Sequence, residues 1–135
     1  MFPGNNHWHA KVVNAPVLSN STNLVNTVGA TKGLKADFGS GLWDGGPIGI
    51  PYVVVAPGQA KVEVDFEYDD ESDPGGYPIP ADPPIEGGAG SSGDRHILMV
   101  EPEECVLYEL YSAYPDGDGT WSAGSGAIWD LTSND

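Results

Sequence analysis

The most regular hydrophobic pattern in the chain is the alternation KVEVDFEY over residues 61–68, where Val62, Val64, Phe66 and Tyr68 interleave with Lys61, Glu63, Asp65 and Glu67. A period of two predicts a strand with one face in a core and the other in water. Residues 96–100 and 105–111 form a nearly unbroken apolar run and predict a hairpin. A connection of Glu101 to Glu104 would pair Val100 with Cys105, Leu98 with Leu107 and His96 with Glu109. One face would then carry Asp94, His96, Leu98 and Val100 beside Cys105, Leu107, Glu109 and Tyr111, with its apolar end in the core and its polar end a cluster.

A buried strand is expected at Tyr52–Val55, and SGAIWDL at 125–131 completes the strands, with Trp129 inside. Residues 1–18 read as a loop and an edge strand. SNSTNLVNTVGAT predicts the only helix: capping groups at Asn20–Thr22, apolar Leu24, Val25 and Val28 on one face, and Gly29 as a stop. Residues 69–93 form a long Pro and Gly loop, a length that tends to be functional, and are expected to lie as an ordered lid over the polar end of the hairpin.

Composition strengthens the β reading. Nineteen Gly and 12 Pro in 135 residues shorten helices and multiply turns, so an all-β fold is expected: one single-domain β-sandwich or jelly-roll-like unit over 1–135. Twenty acidic side chains against five basic ones give a formal charge of −15, which repels nucleic acid and anionic membrane surfaces. The sole cysteine, Cys105, excludes an internal disulfide framework and reads as a small buried hydrophobe. MFPGNN reads as an added Met on a mature start, and with the sequon Asn20-Ser21-Thr22 it suggests a secreted protein.

The single arginine and one of three histidines stand together at the mouth of the hairpin. A carboxylate across from an imidazole favours the charged ring or fixes one tautomer as a general base, so Asp94, Arg95, His96 and Glu109 are the candidate catalytic cluster, with Asp130 as an additional member. The alternative is that these groups satisfy one another and pin the loop. Asp69, Asp70, Glu71 and Asp73 offer oxygen ligands for calcium, without the glycine and glutamate that an EF-hand requires. His7 and His9 flank Trp8 at a spacing that puts two imidazoles on one side of a strand; with His96 they would form a zinc or copper site. Trp43, Tyr77 and Trp121, beside Gly and Pro turns, are candidates for stacking on sugars.

The motifs DFGSGLWDGGPIGIPYVVV, DESDPGGYPIPADPPIEGG, GDRHILMVEPEECVLYELY and GSGAIWDLTSN resemble those of a family of uncharacterised secreted microbial proteins, over residues 34–134. The resemblance implies that Asp70, Glu71, Asp73, Asp94, Arg95, His96 and Glu109 belong to the family pattern. It carries no activity. Relatives look longer, so the resemblance implies either a shortened form or half of a larger sandwich. The leading functional expectation is an extracellular carbohydrate-associated protein that binds or cleaves a polysaccharide near Asp94, His96 and Glu109. The alternatives are a three-histidine copper or zinc enzyme and a calcium-stabilised surface module.

Overall fold

A computed structural model describes residues 2–33, 42–43 and 46–134 of the chain. It is an all-β, sandwich-like single domain with one short α-helix among the described residues. The strands are β1 Leu42–Trp43, β2 Gly46–Pro47, β3 Tyr52–Val54, β4 Val64–Phe66, β5 Ile97–Glu101, β6 Val106–Tyr111, β7 Tyr114–Pro115, β8 Trp121–Ala123 and β9 Ser125–Asp130. The helix, α1, spans Ser21–Val28. One sheet has the order β3-β5-β6-β9 and another β4-β8-β7, while β1 and β2 form a separate pair. Two pairings are parallel, β3 with β5 and β4 with β8; the rest are antiparallel.

The core of the described residues lies between the four-stranded and three-stranded sheets. Ile97, Met99, Tyr108 and Leu110 point into it from the larger sheet, and Ala123 from the smaller, with Val64, Phe66 and Trp121 packed against them. Burial of such side chains is the main stabilising term. The long 69–93 segment does more than cover a site. Tyr77 is fully buried, Pro78 and Ile79 follow it inward, and Tyr77 bridges to Val62 by backbone hydrogen bonds. Gly126 makes room for this ring: a Cβ there would stand 2.5 Å from Tyr77 Oη and 2.7 Å from Phe66 Cζ. Tyr77 therefore belongs to the core and offers no face to a sugar.

The same segment closes one sheet edge. Asp73 N–H donates to Gly126 O at 2.9 Å, Ile128 N–H donates to the Asp73 carboxylate at 2.8 Å, and Gly126 N–H donates to Ser72 Oγ at 3.3 Å. These bonds occupy two donors and one acceptor of β9 that an open edge would present to another chain.

Several sequence expectations are corrected. The hairpin register is shifted by two residues: Val100 pairs with Leu107 and Leu98 with Glu109. Cys105 is the cause, because it leaves the strand with φ of 55° and ends a four-residue connection of 102–105, while Glu101 joins β5. Buried Glu101 holds that turn by accepting from the backbone N–H groups of Glu103 at 3.3 Å and Glu104 at 2.6 Å.

The core face of the hairpin is the opposite one from that expected. Both parities of the run are apolar, so alternation could not choose between them. Trp129 is half exposed because it shares the outer face with Leu107, its partner across the sheet. No edge strand forms in residues 2–18, where His7–His9 make a 3-10 turn instead. The helix forms as expected, but Leu24, Val25 and Val28 are exposed.

Candidate functional site

Residues 94–96 enter β5 through a sharp kink. Arg95 takes φ of 51°, and Ser112, past the end of β6, takes φ of 54°. Ser112 N–H donates to Asp94 O at 2.8 Å and Ala113 N–H to Arg95 O at 3.3 Å, so the hairpin continues through this irregular step. Left-handed backbone is uncommon for residues with a Cβ. Here it turns the Arg95 side chain inward. That side chain is buried and donates from Nε to Ala113 O at 3.0 Å and from Nη1 to Ala89 O at 2.8 Å and Ser91 O at 3.0 Å. Its guanidinium also lies 4.1 Å from the centre of the Tyr114 ring. Five fixed N–H donors suit this task of gathering carbonyls from separate loops. Arg95 is thus a clamp on 89–91 and 113–114, and its charge faces no ligand.

His96 lies on the outer face of the sheet. Its ring Nδ1–H donates to Glu86 Oε2 at 2.7 Å, and Glu86 N–H donates to His96 O at 3.0 Å. The ring centre is 5.5 Å from that of Tyr111. The expected carboxylate partner, Glu109, is not opposite His96, because the shifted register places it beside Leu98 and Ala127. His96 and Glu109 nonetheless line one cleft of about 330 Å³, together with Glu71, Tyr111, Ser125, Gly126 and Ala127.

A second cleft, of about 390 Å³, continues along the same face. It is lined by Glu109, Trp129, Leu107, Asp130 and Leu131, and by Phe2, Asn6, His7 and Trp8 of the N-terminal segment. Asn6 Nδ2 donates to Asn134 Oδ1 at 2.8 Å, which ties that segment to the C-terminal end. Glu109 belongs to both clefts. It also accepts from Trp129 Nε1 at 3.3 Å, an anchor for the polar edge of the indole. Trp8, with 82% of its surface exposed, Trp129, with 50%, and Tyr111, with 39%, stand along this track.

The remaining expectations separate from His96 and its carboxylate partner. Asp130 pairs with Val106 at the far end of β6 from His96. There it accepts from Thr132 Oγ1 at 2.6 Å and Thr132 N at 2.8 Å, and these bonds hold its carboxyl below the usual carboxylate range. His7 and His9 do not converge with His96 among the described residues. A 3-10 turn has three residues per turn, so an i, i+2 pair diverges where a strand would align it. Asp69, Asp70 and Glu71 sit exposed on a 3-10 turn, Asp73 is engaged with β9, and the four form no convergent ligand set among the described residues. Trp121 is half-buried against the core. The Trp43 side chain lies outside the described residues.

Glu86 is the group that sequence reasoning missed. A signal was present, since Glu86 is the only ionisable side chain between Pro83 and Gly93, in the very segment expected to cover the hairpin end. Among the described residues, Glu86, Asp94 and His96 are the one set of three metal-ligating side chains whose donor atoms all lie within 4.8 Å of one another. Two carboxylates and an imidazole suit a divalent transition ion better than calcium.

The class defined by fold and site is a sandwich-like β domain with an acidic, aromatic-lined track on the outer face of its larger sheet. Comparisons with protein-family models, with curated proteins and with solved structures find no match to this chain. No helix among the described residues is long and apolar enough to cross a membrane.

Proposed function

We propose that this is an extracellular carbohydrate-associated protein that binds a neutral polysaccharide along the outer face of the β3-β5-β6-β9 sheet. The observation that carries the reading is exposed Trp129, tied by its indole N–H to Glu109 where the two clefts meet. A sugar ring offers an apolar face to stack on an indole and hydroxyls to donate to carboxylates, and this track supplies both partners side by side. The candidate sugar contacts are Trp8, Trp129 and Tyr111 for stacking, with Glu71 and Glu109 as acceptors and His96 at the end. The charge of −15 and the acidic lining disfavour uronic or sulfated polymers.

Binding is favoured over cleavage because the expected acid–base pair of His96 and Glu109 is not in contact, the imidazole being engaged by Glu86. Titration of neutral soluble polysaccharides against tryptophan fluorescence and calorimetric heat tests the reading. Trp129→Ala is expected to weaken binding by roughly threefold to tenfold, the equivalent of about 0.5–1.5 kcal/mol for one aromatic contact. Glu109→Gln is expected to weaken it with the fold intact. If neutral glycans give no response, or if both variants bind as the parent does, the reading fails.

A further inference from the structure

Arg95 separates Asp94 from His96 in the chain, yet its guanidinium is turned into the protein and used up by three carbonyls and the Tyr114 ring. That cation, next in the chain to both groups, is therefore spent elsewhere. Among the described residues the only ion pair is that of His96 with Glu86, and the exposed Asp94 carboxylate has no side-chain partner. Two carboxylates thus share one imidazole within 4.8 Å, in a chain already at −15. Such a group gains from any added positive charge, and the imidazole selects which kind.

We propose that Glu86, Asp94 and His96 bind a first-row divalent transition ion of the zinc class, which clasps the 69–93 segment to the mouth of the hairpin. A tetrahedral zinc ion holds N and O ligands at about 2.0–2.2 Å, so its ligands stand about 3.4 Å apart. Reaching that from the present spacing takes side-chain shifts of about an ångström. His96 Nδ1 and Glu86 Oε2 already face each other at 2.7 Å, and the ion replaces the proton between them, leaving the ring N–H on Nε2. Asp94 supplies a third ligand from the solvent side, and water completes the shell. Two carboxylates and a neutral ring balance a divalent charge. Hard ions without affinity for nitrogen are disfavoured. The site depends neither on His7 and His9 nor on what occupies the aromatic track.

The test is calorimetric titration of the chelator-stripped full chain with zinc chloride, with calcium chloride as a control, alongside NMR of the histidine rings. The expected result is one zinc per chain, a rise in melting temperature, and a shift of the His96 ring resonances without those of His7 and His9. His96→Gln and Asp94→Asn are expected to weaken zinc binding by on the order of 10- to 100-fold or more, while the His7→Gln/His9→Gln double variant binds as the parent does. Should His96→Gln unfold, Asp94→Asn decides, because that exposed group supports nothing else. Unchanged affinity in Asp94→Asn, an equal response to calcium, or loss of binding in the His7/His9 variant would overturn the proposal. Zinc binding and glycan binding are read in separate titrations, so either can fail alone.

Discussion

The two faces of the β3-β5-β6-β9 sheet are made by the same strands, and their side chains have opposite fates. The inner positions Ile97, Met99 and Leu110 are fully buried, whereas Tyr52 and Val54 on β3 and Trp129 on β9 keep half or more of their surface in water. Hydrophobicity does not separate the faces, because Leu98 and Val100 are as apolar as Ile97 and Met99. What separates them is the partner. The inner face meets the β4-β8-β7 sheet and the Tyr77 segment, and the outer face borders clefts that carry carboxylates. A face apolar enough to be a core, left open and edged with acidic groups, is the feature that points to a ligand.

The largest expected contrast is in stability. Leu110→Ala, which opens a cavity in the dry face, is expected to cost about 2–5 kcal/mol. Leu98→Ala, on the wet face of the neighbouring strand, is expected to cost about 1 kcal/mol, since partial exposure lessens the loss. Urea denaturation of the two variants measures the difference, and equal costs would mean that the outer face is covered in solution.

Gly126→Ala is next, at about 1–3 kcal/mol, because the added methyl meets Tyr77 and Phe66. The neighbouring outer residue gives the opposite result: Trp129→Ala should change stability by about 0.5 kcal/mol or less, while weakening the glycan response.

A titration distinguishes the faces without mutation. Burial, then the nearby Asp73 charge, pushes the Tyr77 phenol up to about 12. A folded-state value above the unfolded one means that its stabilisation is intact at neutral pH, and is lost as pH climbs from the ordinary tyrosine range through 12. Ultraviolet titration is therefore expected to find Tyr77 ionising late, with the onset of alkaline unfolding. The smallest effect is acid-side. Hydrogen bonds from Thr120 and Thr132 hold Asp118 and Asp130 below the usual carboxylate range, so their turns should loosen only as pH falls through those lowered values. Chemical shifts of Thr120 and Thr132 would report it.

The all-β class, the short helix and five of the strands were legible in the sequence, because glycine, proline and alternation act locally. Register was not, since it turned on Cys105 adopting a left-handed conformation that no neighbouring glycine announces. The exposure of Trp129, Leu24 and Val25 was also illegible, because apolar character alone does not say whether a partner surface exists. Of the candidate site, His96 and Glu109 were correctly placed on one face, but the direct carboxylate partner came from Glu86, ten residues upstream and across a loop. The short strand Trp121–Ala123 was missed because three residues are too few to show a period, and its parallel neighbour lies 57 positions earlier.

That distant pairing has a kinetic consequence. Parallel neighbours cannot zip from a tight turn, so the union of residues 64–66 with 121–123 must wait for a long stretch of chain to be gathered first. Refolding from denaturant should accordingly run on the millisecond-to-second scale typical of nonlocal β topologies. A ribosome would have to release the chain through residue 123 before that parallel pair could form.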